Sequence, residues 1–91
     1  MATSWKDVRA NLQLTPEEEA VISIEKALIA AVVEAREQSN LTQKQLSQKC
    51  GLSQPVIARF ESGTHSPQLN SMIRILKPLG YTLEVVPDRS E

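Results

Sequence analysis

Residues 43–63, QKQLSQKCGLSQPVIARFESG, contain two short segments of helical periodicity that meet at residues 50–53. Thr42 and Ser53 are good N-cap residues for the first and the second segment. Gly51 lies where the first helix must stop, because glycine reaches positive φ without strain and lets a tight turn follow. The stretch therefore predicts a helix-turn-helix, in which the second helix enters the major groove of DNA.

The wider stretch of residues 41–80 resembles the phage-repressor type of helix-turn-helix that the Cro/C1 and XRE regulators share. Spacing and residue type agree at Leu41, Thr42, Gln43, Leu46, Gly51, Ser53, Gln54, Ile57, Phe60, Glu61, Gly63, Pro67, Leu69, Met72, Ile75, Leu79 and Gly80. Within that family, the short length, an N-terminal helical extension and the last apolar segment are similar to HigA-type antitoxins of type II toxin–antitoxin pairs.

The predicted fold is all-α: a five-helix, lambda-repressor-like helix-turn-helix domain with an N-terminal helical extension and one short C-terminal β-strand. Residues 1–14 form the helical arm, and residues 15–80 form the DNA-binding domain with its helix-turn-helix core at 41–65. Residues 81–91 form the strand and the tail. Ninety-one residues suit one such domain, and because a core of this size is marginal alone, we expect a homodimer.

Composition indicates a soluble cytoplasmic protein. Hydrophobic residues make up 41% and charged residues 23% of the chain, which is typical of a folded domain. No apolar run approaches the roughly 20 residues of a membrane span, and the N-terminus is too polar for a signal peptide. A single cysteine excludes an internal disulfide and fits a reducing compartment.

The net charge of −1 is distributed unevenly along the chain. Residues 41–80 contain five lysines and arginines against Glu61 alone, a net charge of +4. Residues 1–40 contain four basic and seven acidic residues, a net charge of −3. The basic stretch coincides with the predicted DNA-binding motif, and the acidic extension suits a different, basic partner.

The N-terminal arm has an apolar helical stripe. Trp5, Val8 and Leu12 fall on one side of a short helix, which needs a surface to pack on because it is too short to be stable alone. Trp5 either packs on the protein's own core or anchors a partner, a role in which tryptophan is common.

A long helix is predicted from the Thr15-Pro16 start to about Gln38. Its apolar residues form two adjacent stripes, which are more than one buried face requires. Either the helix is sandwiched in a dimer, or one stripe packs on the helix-turn-helix and the other binds another protein. The candidate contacts with a toxin are Trp5, Val8, Leu12, Ile22 and Ile29.

The second helix of the motif is predicted to read DNA. Gln54 could hold adenine by two hydrogen bonds, and Arg59 could hold guanine or a phosphate, unless Arg59 pairs with an acidic neighbour instead. Pro55 stands where relatives often carry a polar base-reading side chain, so only apolar contact is expected there. The predicted DNA-binding residues are Gln43, Lys44, Ser53, Gln54, Pro55, Ala58, Arg59, Ser62 and Thr64.

The C-terminal segment, residues 81–86, alternates in polarity, with Tyr81, Leu83 and Val85 on one side. A lone strand cannot satisfy its backbone hydrogen bonds, so the segment is predicted to pair with a second copy or with a partner sheet. The alternative is an irregular tail packed through Tyr81 and Leu83.

No motif in the sequence supports catalysis. The one histidine and the one cysteine have no plausible partner, and no phosphate loop or metal-ligand spacing is present. We therefore expect no enzyme activity, no metal and no cofactor.

The resemblance implies an antitoxin that represses its own operon from a palindromic operator and neutralises a basic, RelE/HigB-like mRNA-cleaving toxin. Two alternatives remain open: a stand-alone repressor of the same fold, and an interaction module that has lost DNA binding.

Overall fold

Four helices make up the secondary structure of the computed structural model, which describes residues 14–88. They are α1 (Pro16–Gln38), α2 (Gln43–Cys50), α3 (Gln54–Ser62) and α4 (Leu69–Leu79). No helix in this part of the chain is long and apolar enough to cross a membrane.

The N-caps predicted at Thr15, Thr42 and Ser53 are confirmed. The Thr15 hydroxyl accepts a hydrogen bond from the Glu18 amide at 3.1 Å, and the Glu18 carboxylate accepts one from the Thr15 amide at 2.8 Å. Thr42 and Gln45 form the same reciprocal pair at the start of α2, with the same two distances. Both pairs are capping boxes, which satisfy amides that have no partner inside the helix.

Left-handed glycines end the two helices of the motif. Gly51 closes α2 at φ 79° and Gly63 closes α3 at φ 71°. A β-carbon on either residue would meet no atom within 4 Å, so backbone conformation rather than space requires glycine there.

The core lies where all four helices meet. Leu46, Ile57 and Ile75 are completely buried, one each from α2, α3 and α4. The cluster is completed by Ile29, Val32, Phe60, Met72 and Leu76. The helix-turn-helix is thus clamped between the second half of α1 and α4.

The two halves of α1 differ in burial. Its buried residues, Ile29, Val32 and Ala35, all lie in the C-terminal half. In the N-terminal half Val21 is 54% exposed and Ile24 is 61% exposed. The apolar stripe that the sequence shows along the whole helix is therefore used for the core only near its end.

The predicted fold class was wrong in two respects. Residues 14–88 contain four helices instead of five, and they contain no strand; the helix predicted in the arm lies outside the described residues. Residues 81–88 form neither helix nor strand. The physical reason is that a ladder needs a second strand, and the described chain supplies none. Leu83 instead packs against the core.

Candidate nucleic-acid interface

α3 presents its polar side chains to solvent because Ile57 and Phe60 hold its opposite side in the core. Gln54, Pro55 and Arg59 are exposed, and Ala58 is half-buried. Ser53 is used as the N-cap, where its hydroxyl accepts from the Val56 amide at 3.4 Å. The arrangement leaves a polar surface on the first and last turns of α3.

Arg59 is available for an external contact. Within residues 14–88 its guanidinium forms no ion pair or hydrogen bond, and the same holds for the Gln54 side chain. The alternative that Arg59 pairs with an acidic neighbour is therefore not seen in this part of the chain. That Gln54 and Arg59 contact bases stays a prediction.

The first turn of α2 adds groups that suit a phosphate. Lys44 is exposed, and the Gln43 and Lys44 amides lie at the positive end of the helix, ahead of the amide of Gln45 that Thr42 caps. Free amides at a helix N-terminus favour anions. The prediction that Gln43 and Lys44 bind DNA is compatible with this placement, in which they would contact phosphates of the DNA backbone.

A single carboxylate joins three helices beneath this surface. Glu61 of α3 accepts two hydrogen bonds from Arg36 of α1, from Nε at 2.7 Å and from Nη2 at 2.9 Å. It accepts a third from the side-chain amide of Gln43 of α2, from Nε2 at 2.9 Å. Arg36 Nη1 also donates to the Leu41 carbonyl at 2.8 Å, which fixes the link between α1 and α2.

The Arg36–Glu61 pair is largely shielded, with side-chain exposures of 12% and 8%. The hydrogen bonds to Glu61 raise the pKa of Arg36 above its ordinary value, so it stays charged. The pair neutralises the one acidic residue of the basic stretch 41–80. It therefore removes a negative charge that would otherwise repel DNA, and it fixes the orientation of α3.

Sequence reasoning missed this role of Arg36 and Glu61. A lone glutamate in a basic stretch was a usable signal, because an uncompensated carboxylate beside a DNA-binding surface is unfavourable. Its partner could not be identified from spacing, since the two residues are 25 positions apart.

The turn after α3 carries a chain of hydrogen-bonded side chains. The Ser62 hydroxyl donates to the Arg59 carbonyl at 2.7 Å and lies 2.9 Å from the Thr64 hydroxyl. Thr64 in turn lies 2.9 Å from Nδ1 of His65. These contacts order the turn next to Arg59, which contains Ser62 and Thr64, two of the residues predicted to bind DNA.

The candidate toxin contacts are only partly visible. Trp5, Val8 and Leu12 lie outside the described residues, Ile22 is half-buried, and Ile29 is 5% exposed.

Of the predicted strand residues, Tyr81 is 47% exposed and Val85 is 99% exposed. Residues 14–88 contain no cluster of side chains able to hold a metal ion.

Comparison with known proteins identifies the family. The model of the helix-turn-helix family matches residues 32–86. A relative from Haemophilus influenzae, described as an uncharacterized HTH-type transcriptional regulator, is 36% identical over 89 residues, which cover 98% of this chain and 90% of the relative. A solved structure described as a toxin-antitoxin module from Streptococcus pneumoniae is similar with a TM-score of 0.65. It is 44% identical, over 96% of this chain and 94% of that chain.

The chain therefore belongs to the XRE-type helix-turn-helix family. It is a DNA-binding regulator and not an enzyme. The exposed polar surface of α3 is the part of the described fold that corresponds to a DNA-reading helix.

Proposed function

We propose that this chain is the antitoxin of a type II toxin–antitoxin pair of the HigA kind. The observation that carries the proposal is its 44% identity, over nearly the whole chain, to a protein from a toxin-antitoxin module. The partner is a basic, RelE/HigB-like mRNA-cleaving toxin, which the antitoxin neutralises in the cytoplasm. The acidic charge of residues 1–40 supports a basic partner.

The same protein represses its own operon as a homodimer on a palindromic operator, with half-sites about 34 Å apart or a multiple of that. Leu69 and Ile73, on one face of α4, are 63% and 42% exposed and offer apolar surface for a second copy. Gln54 and Arg59 contact bases, with apolar contacts from Pro55 and Ala58. Contacts with the sugar-phosphate backbone of the DNA come from Gln43, Lys44, Ser53, Ser62 and Thr64.

A stand-alone repressor is the second candidate function. The relative from Haemophilus influenzae favours it, because that protein is described only as a transcriptional regulator. In this case α1 serves dimerisation, and no toxin exists.

Co-expression with the product of the adjacent short reading frame distinguishes the two. A tagged copy of this chain is purified together with the untagged neighbour, and the mixture is assayed for mRNA cleavage. The antitoxin proposal expects a stable complex in which cleavage is suppressed. The stand-alone repressor expects this chain to purify alone while it still binds its own promoter DNA.

Trp5→Ala tests the predicted contact of the arm. If Trp5 anchors the toxin, the substitution weakens the complex by a factor typical of a hot spot, about 30-fold or more. Unchanged toxin binding would assign Trp5 to the protein's own core, provided that the unfolding free energy of the variant falls.

A further inference from the structure

A groove of about 540 Å³ lies between α1 and the turn that follows α3. Its apolar floor is formed by Ile29, Ala30 and Val33 of α1. Ile29 is buried and Val33 packs against the core, so this floor is continuous with the core of the domain. The groove has room for several side chains of another protein.

The rim of the groove is acidic. Glu34 and Glu37 follow the apolar floor on α1, both exposed. Within residues 14–88 neither carboxylate forms an ion pair, although Glu34 accepts a hydrogen bond from Gln38 at 3.2 Å. Glu61 also lines the groove but is already neutralised by Arg36, and among the described residues Lys26 is the one basic residue of the lining.

This combination selects the chemistry of an occupant. The apolar floor favours leucine-, isoleucine- or phenylalanine-like side chains, which gain free energy when they leave water. The two exposed carboxylates, neither of which is in an ion pair within residues 14–88, favour lysine or arginine beside them and disfavour acidic segments. Nucleic acid is disfavoured beside Glu34 and Glu37, because these carboxylates repel its phosphates.

We propose that this groove is the docking site of the toxin, filled by an amphipathic segment that places apolar side chains on Ala30 and Val33 and basic side chains against Glu34 and Glu37. The inference rests on the proposed function, since it assigns the surface through which that function works. The opposite wall of the groove is the turn containing Ser62 and Thr64. The docked toxin therefore touches the same turn that borders the DNA-binding surface.

The test uses full-length variants of this chain and the product of the adjacent reading frame. Ala30→Arg places a long cation in the groove from an exposed position and is expected to weaken the complex about 30-fold or more in a binding titration. Ala31→Arg is the matched control: Ala31 is the next residue of α1, is also exposed and does not line the groove. It is expected to bind the toxin like the wild type.

Glu34→Lys combined with Glu37→Lys tests the charge of the occupant. The double variant is expected to weaken the complex at low salt, and the difference from the wild type should shrink as salt rises. Operator binding without toxin is expected to stay within about twofold for Ala30→Arg and Ala31→Arg, which shows that both variants are folded.

The outcomes separate the two proposals. A wild-type chain that does not bind the neighbouring product overturns the proposed function and the groove with it. A wild type that binds while Ala30→Arg binds equally well overturns the groove alone. Loss in Ala30→Arg with full binding by the double lysine variant overturns the basic occupant. A change of oligomeric state in Ala30→Arg without toxin assigns the groove to a second copy instead.

Discussion

The helix-turn-helix and the first half of α1 are both helical and both rich in apolar residues, yet they use those residues differently. α2 and α3 bury Leu46 and Ile57 completely. The N-terminal half of α1 leaves Val21 and Ile24 more than half exposed. An apolar stripe therefore indicates that a helix face packs against another surface. It does not indicate whether that surface belongs to the same chain or to another one.

The largest difference between the two regions is expected when one isoleucine is truncated in each. Ile57→Ala is expected to lower the free energy of unfolding by about 2–5 kcal/mol, because it opens a cavity in the centre of the core. Ile24→Ala is the matched control and should change it by no more than about 0.5 kcal/mol. Urea unfolding followed by circular dichroism measures both. Equal losses would mean that the first half of α1 is packed as firmly as the motif.

The Arg36–Glu61 pair tests whether the second half of α1, unlike the first, is joined to the motif by charge as well as by the core. Arg36→Met leaves the shielded Glu61 carboxylate without its counter-charge and is expected to cost about 2–3 kcal/mol of unfolding free energy. Adding Glu61→Met should recover at least half of that loss, because a matched apolar pair has no charge to bury. A double variant as unstable as the single one would show that Arg36→Met lowers the unfolding free energy through lost packing and not through the unpaired charge.

The pH dependence of this effect follows from the raised pKa of Arg36. A group whose pKa is raised by folding contributes fully below its ordinary pKa and loses that contribution only as the pH rises past it. The destabilisation by Arg36→Met is therefore expected to be the same at pH 7 and pH 9. A loss that shrinks between those values would contradict this assignment.

Operator binding tests the proposed role of Arg59 separately from the stability of the fold. Arg59→Ala should weaken binding by about 1–3 kcal/mol if the side chain reads a base, with little change in the unfolding free energy because it is exposed and unpaired within residues 14–88. Arg74→Ala removes an exposed arginine from α4 and serves as the control. Electrophoretic mobility shifts on the promoter fragment give the comparison. Equal effects of the two variants would assign Arg59 to general charge attraction.

The two capping boxes provide the smallest and most direct comparison. Thr42→Ala should cost about 1 kcal/mol of unfolding free energy, because α2 forms only as part of the core. Thr15→Ala removes an equivalent cap, but the first turns of α1 contribute no buried residue, so the helix can fray there. Its expected cost is below about 0.5 kcal/mol, and thermal melts of the two variants measure the difference.

What could be predicted from the sequence follows the range of the interactions concerned. Thr15, Thr42 and Ser53 were predicted as caps and Gly51 as a stop, because each acts within a few residues of itself. The strand at residues 81–86 failed for the opposite reason. Polarity alternation is a local pattern, whereas strand formation depends on a partner that the described chain does not contain. The Arg36–Glu61 pair, which is long-range in the sequence, was missed likewise.

In the candidate site, too, local interactions could be predicted and long-range interactions could not. Exposure of Gln54 and Arg59 could be anticipated, because the positions of Ile57 and Phe60 determine which side of α3 faces the core. The fixing of Gln43 by Glu61 could not, since it depends on how two helices cross. The groove beside α1 was equally hidden, because its two walls are about 30 residues apart.

The attachment of Glu61 to Arg36 and Gln43 has a consequence for how such a protein can change its target. The residues that fix the orientation of α3 are separate from the side chains proposed to contact DNA, and the side chains of Gln54, Pro55 and Arg59 form no hydrogen bond or ion pair within residues 14–88. Those three residues can therefore be substituted without disturbing the contacts of Glu61 with Arg36 and Gln43. We therefore expect that a few substitutions on the surface of α3 change the operator sequence that the domain prefers, while the fold is retained.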